Sequence, residues 1–150
     1  MLKNIALTLF TVVALVGCSS NRISRPCSSV VSPADFATYI GDRIHFGFDT
    51  DALSESAKEV LDRQVNWLNH NANEDINIII EGHCDERGTR EYNLALGERR
   101  ANSAKDYLVN KGVDASRIEI ISYGKERPAA IGNSEDIHKL NRRTVTVLRN

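Results

Sequence analysis

INIIIEGHCDERGTREYNLALGERRANSAKDYLVNKG, residues 76–112, changes from one structural period to another within its length. Ile76, Ile78 and Ile80 stand at alternate positions in a short apolar run, which predicts a central β-strand. Gly82 to Gly88 reads as a loop. From about Arg90 to Asn110 the apolar positions recur at helical spacing, and Gly112 stands just past the end as a stop signal. At about 100° per residue, with Asn93 set to zero, Gly97, Ala101, Ala104, Tyr107 and Leu108 fall on an arc centred near ~30°. Arg100 lies inside that arc, with Leu96 beside it, whereas Arg99 lies among Asp106 and Asn102 on the solvated side. Of two adjacent arginines, one faces water and the other faces the sheet.

A guanidinium keeps its proton, so an inward one needs carboxylates or carbonyls around its planar fork of donors. Leaving it unpaired costs several kcal/mol. An internal salt bridge is one reading of Arg100. The other is a ligand site, because Asp85 lies in the loop leaving the central strand and Asp49 follows the first strand at Phe48. Both acids can reach the rim beyond the strand ends, where open α/β sheets place their ligands. Two acids and an inward arginine suit a ligand with an amine and a carboxylate on one carbon.

The flanking sequence supplies the remaining elements. Ile44, Phe46 and Phe48 alternate with Arg43, His45 and Gly47, as in a half-buried strand. Ser54 caps a helix whose apolar positions are Ala57, Val60, Leu61, Val65 and Leu68. Arg117–Tyr123 and Thr144–Leu148 read as two further strands, with a loop and a short helix between them. The expected fold is therefore an α/β (α+β) two-layer sandwich, a mixed four-stranded sheet with two main helices on one face.

The N-terminal stretch differs in kind. Lys3 precedes the apolar run Ile5–Val16, which as a helix covers only about 18 Å, less than the hydrocarbon core of a bilayer. With Leu15-Val16-Gly17-Cys18 it has the pattern of a lipoprotein signal peptide, residues 1–17, cleaved before a lipidated Cys18. Ser- and Pro-containing residues 18–37 read as a lipidated flexible tether, and residues 38–150 as the folded domain. The chain carries 19 Lys and Arg against 20 Asp and Glu. Such a balance excludes the basic excess expected of a nucleic-acid binder. With Cys18 lipidated, Cys27 and Cys84 could form a bridge, although Cys84 fits a small buried hydrophobe better.

The run from Gly82 to Val113, followed by RIEIISYGKERPAA and NRRTV, closely resembles the peptidoglycan-associated lipoproteins of the OmpA-like domain group. The likeness covers about residues 41–149 and the lipid-attachment motif. Two departures are Cys84 and Arg90, positions commonly Ala and often Pro in that group. The resemblance implies non-covalent binding of meso-diaminopimelate in peptidoglycan stem peptides. Asp85 would take the ammonium and Arg100 would hold the carboxylate in a bidentate pair. Phe48 and Asp49 would line the opposite wall, Leu96 would touch the aliphatic stem, and Asn93 would support the loop. It also implies TolB as a protein partner and an outer-membrane location for the lipid on Cys18, with the domain facing the periplasm.

Two rival classes remain in view. Enzymatic use of His83 and Cys84 is disfavoured, because neighbours on extended chain point to opposite faces. A zinc set from His83, Cys84 and Asp85 lacks a second ligand pair, and His45, His70 and His138 read as scattered exposed residues; no metal or cofactor is expected. A purely protein-binding module is the second rival, and binding of a diaminopimelate peptide distinguishes it.

Overall fold

The computed structural model describes residues 35–70 and 73–149. The signal peptide, Cys18, Cys27 and most of the expected tether lie outside the described residues. A helical turn, Phe36–Ile40, opens the fold. It is followed by β1 (Arg43–His45), α1 (Glu55–Leu68), β2 (Asn77–His83), α2 (Arg90–Asn110), β3 (Ile118–Gly124), α3 (Glu135–Asn141) and β4 (Arg143–Arg149). The strands lie in the order β1-β4-β2-β3. β2 and β3 run parallel, joined by the α2 crossover, while β4 runs antiparallel to both β1 and β2.

Local chemistry explains the element ends. Ser54 Oγ accepts from the Ala57 amide at 3.2 Å, and Thr89 Oγ1 from the Tyr92 amide at 3.2 Å, so each main helix starts on a hydroxyl cap. Gly112, at φ +100°, lets the chain leave α2 while the Val113 amide returns to Leu108 O. Ala57, Leu61, Val65 and Leu68 of α1 meet Ile78, Ile80, Ala101, Ala104 and Leu108 in one core. Gln64 fastens α1 to the sheet, donating to Gly41 O at 2.7 Å and accepting from Thr146 Oγ1 at 2.9 Å.

The sandwich is closest where two glycines meet. A Cβ on Gly82 of β2 would stand 1.9 Å from Gly97 O of α2, and one on Gly97 would stand 2.4 Å from Ser122 Oγ. Helix backbone therefore rests on strand backbone. The contact places Arg100, three residues beyond Gly97, above the end of β2.

Four expectations are corrected. The alternating pattern predicts a first strand through Phe48, but β1 ends at His45. The chain turns at Gly47–Thr50, with Asp49 at φ +53°, which leaves Phe48 62% exposed while Phe46 stays buried. β2 continues through Gly82 to His83 instead of giving way to a loop at Gly82, because both residues still pair with β3. The boundary at 37/38 falls inside a helical turn whose Phe36 is buried edge-on against Trp67, with ring centroids 4.8 Å apart. His138, expected at the surface, is buried between Glu86 and Glu135.

Two outcomes follow from this packing. Gly82→Ala forces apart a backbone contact and lowers stability by on the order of 3 kcal/mol, read as a reduced urea midpoint at unchanged slope. His83 is buried with its Nε2 3.6 Å from Glu81 Oε2, and desolvation followed by the nearby Arg143 charge lowers its pKa to about 4. The unfolded chain, whose histidine titrates near 6.5, binds more protons between these values. Unfolding free energy therefore falls as pH drops from about 6.5 towards 4; His83→Phe flattens that part of the profile in pH-dependent urea melts.

Candidate functional site

The rim where β1 and β2 end carries a cavity of about 160 Å³. Four pieces of chain build it: the turn after β1, the loop after β2, the first half of α2, and the α3–β4 junction. Phe48, Asp49, Asp85, Asn93, Leu96 and Arg100, the six binding positions taken from the sequence, all line it. Cys84, Arg87, Gly88, Tyr92 and Arg142 complete the wall.

Arg100 is 0% exposed, whereas Arg99 lies at the surface 3.9 Å from Asp51. The rotational reading of α2 thus places both correctly. The partners of Arg100 are carbonyls: Nε donates to Thr50 O at 2.8 Å, Nη1 to His83 O at 2.9 Å, and Nη2 to Gly47 O at 3.0 Å. Nη1 also reaches Cys84 Sγ at 3.5 Å. Its guanidinium carbon lies 5.2 Å from the centre of the Phe46 ring. No carboxylate pairs with it among the described residues. Burial lowers its pKa, although a guanidinium remains charged at any ordinary pH. The bidentate grip implied by the resemblance is therefore spent largely on the protein's own backbone, and what Arg100 offers the cavity is chiefly charge.

Asp85 is 4% exposed and also engaged. Its Oδ1 accepts from the Arg87 amide at 3.2 Å; its Oδ2 accepts from Arg87 Nη2 at 2.6 Å and from Arg142 Nη1 at 3.2 Å. Burial pushes its pKa upward, but these hydrogen bonds outweigh it and hold the carboxyl below its ordinary value. Arg142 is anchored by donation from Nε to Phe46 O at 3.1 Å and from Nη2 to Glu135 Oε1 at 2.7 Å. Asn93 Nδ2 donates to Arg87 O at 2.7 Å and Thr89 O at 3.0 Å, which ties the 84–88 loop to α2. On the opposite wall Tyr92 donates its hydroxyl to Asp49 Oδ1, and the Arg87 guanidinium lies over the Phe48 ring, 4.2 Å from its centroid.

Sequence reasoning passed over Arg87, Tyr92 and Arg142. Arg142 had a visible signal: it is one of two adjacent arginines at a helix–strand junction, the question raised by Arg99 and Arg100. Cys84 is a buried free thiol that donates to Asn93 O at 3.3 Å, and burial raises its pKa. That environment suits packing more than nucleophilic attack. With three guanidiniums and two carboxylates around it, the cavity suits a small ligand carrying both signs of charge.

Residues 45–142 match the OmpA family. The peptidoglycan-associated lipoprotein of Mesorhizobium japonicum is 43% identical over 154 residues, spanning 96% of this chain and 90% of that protein. Its counterpart in Haemophilus influenzae is 38% identical over 141 residues, spanning 90% of each. The crystal structure of the peptidoglycan-associated lipoprotein from Burkholderia pseudomallei superposes with a TM-score of 0.71 at 33% identity, covering 78% of this chain and 99% of that one. The C-terminal domain of Helicobacter pylori MotB shares the fold at 20% identity, with a TM-score of 0.65 over 73% of this chain and 84% of its own. The chain belongs to the OmpA family, among the peptidoglycan-associated lipoproteins.

Proposed function

We propose that this chain binds peptidoglycan without covalent linkage, through the zwitterionic end of meso-diaminopimelate in the stem peptide. The observation that carries the reading is Arg100: a fully buried cation, met by three carbonyls and, among the described residues, no carboxylate, in the wall of a cavity that also holds Asp85 and Asp49. Carbonyl dipoles solvate a guanidinium but leave its net charge uncancelled, so its field favours an anion in the cavity. A carboxylate placed there, with an ammonium towards Asp85, meets both signs of charge. Leu96 and Phe48 offer apolar surface to the aliphatic stem, and Asn93 fixes the loop between the two charged groups. The names of the relatives, which describe them as associated with peptidoglycan, agree with this reading.

With lipid at Cys18 the protein is an outer-membrane lipoprotein whose domain faces the periplasm. The tether spans the gap, and the domain holds the membrane to the wall as part of the Tol-Pal system. TolB is its protein partner at the same rim, and the link draws the outer membrane after the constricting wall during division. The role is binding, not turnover.

Pull-down on purified peptidoglycan tests the wall-binding reading. Arg100→Ala and Asp85→Asn each reduce retention by about tenfold or more, equivalent to about 1.4 kcal/mol, while Arg99→Ala stays near wild type. Thermal melts identify any variant that is merely unfolded. Equal losses from Arg99→Ala and folded Arg100→Ala would sink the proposal. In a surface-binding assay, a stem peptide containing diaminopimelate releases the domain from immobilised TolB; simultaneous occupancy would separate the two sites.

A further inference from the structure

We infer that Arg87 sets the specificity of this cavity, by making entry of an ammonium group at Asp85 conditional on a carboxylate carried by the same carbon. The inference rests on the proposed ligand class and adds how the site selects within it. Asp85 Oδ2 already serves two guanidiniums, Oδ1 accepts the Arg87 amide, and the residue is 4% exposed, so an incoming ammonium competes with a guanidinium for the carboxylate. Arg142 is poorly placed to yield. It is 4% exposed, and its other donors are held by Phe46 O and Glu135 Oε1.

Arg87 is held differently. Its side chain is 38% exposed, its Nη1 lies 3.5 Å from Glu135 Oε2, and its buried Nε has no hydrogen-bond partner among the described residues. Rotation about its own side-chain bonds would free Asp85, and the Phe48 ring, 4.2 Å from the guanidinium carbon, lies beside that movement. A ligand bringing only an ammonium leaves that guanidinium stripped of its closest carboxylate, a loss on the scale of a charge-assisted hydrogen bond. A ligand with a carboxylate on the same carbon returns an acceptor as it removes one, and the exchange becomes charge for charge. Arg87 thereby discriminates against a lysine side chain, which matches diaminopimelate in length and amine but lacks the distal carboxylate.

The test is calorimetric titration of the full chain with two stem tripeptides, L-alanyl-γ-D-glutamyl-meso-diaminopimelate and its lysine counterpart. Wild type prefers the first by about tenfold or more. Arg87→Met narrows the preference to less than about threefold, chiefly because the lysine tripeptide gains affinity. Arg87→Lys, which keeps a charge to be re-partnered, retains most of it. The same preference in wild type and Arg87→Met, with saturable binding of the diaminopimelate tripeptide, would overturn the inference and leave the proposed function standing. Failure of wild type to bind either tripeptide would remove both. A second readout uses no ligand: by carboxyl carbon NMR, Asp85 titrates at higher pH in Arg87→Met than in wild type. An unchanged titration means that the pair does not hold in solution and equally overturns the inference.

Discussion

The guanidinium of Arg100 joins three pieces of chain that share no local order. Gly47 O and Thr50 O belong to the turn after β1, His83 O to the end of β2, and the cation to the middle of α2. Burying such a group is expensive, and carbonyl dipoles return the cost only in part. Those bonds also hold the Gly47–Thr50 turn on both sides of Asp49, whose φ of +53° is the only positive value at a non-glycine among the described residues. Strain of that kind persists only where surrounding contacts over-determine it. Tyr92 supplies one further contact through Asp49 Oδ1, and Arg100 supplies the two that flank it. The same residue thus shapes one wall of the cavity and charges it.

That clamp depends on a distance set elsewhere. α2 reaches His83 O because Gly97 and Gly82 let helix and strand backbones touch. Any side chain there would lift the helix by more than the tolerance of a hydrogen bond. The functional demand on these glycines is therefore absence of bulk at a crossing, transmitted through three residues of helix to a charge. Ser122 Oγ, donating to Leu94 O at 2.6 Å, fixes the same crossing from β3. Packing and site geometry are one constraint here.

Which parts of this arrangement were legible depended on whether the controlling interaction is local. The caps at Ser54 and Gly112, the limits of α2 and the inward face of Arg100 follow from spacing and helical rotation, because each is decided within a few residues. Rotation gives a direction but not an occupant. That Asp85 is held by Arg142, 57 residues away, or that His138 is enclosed by Glu86, depends on how the α3–β4 junction folds back over the rim. Phe48 illustrates the converse: its alternation with Phe46 is genuine, yet the turn at Gly47 ends the strand and puts it beside Arg87 instead of in the core. Arg142 was partly legible, since adjacent arginines next to a short helix raise the same question of facing, but no helical period extends across that junction to answer it.

A cavity of about 160 Å³ accommodates only the end of a side chain, which limits the affinity of any one domain for its ligand. For the proposed membrane-to-wall link this is an advantage. In the proposed arrangement, many tethered copies facing a repeating polymer gain avidity from number, with effective concentration set by the tether and not by the strength of a single site. Individual grips can then release and re-form while the assembly stays attached. Selectivity, in contrast, cannot be averaged over copies, because a wrong group accepted at each site is accepted everywhere. The site accordingly places its enclosed charges, Arg100, Asp85 and Arg142, where solvent screening is weak. The more exposed Arg87 lies over the Phe48 ring, where the inferred exchange of partners reads the ligand.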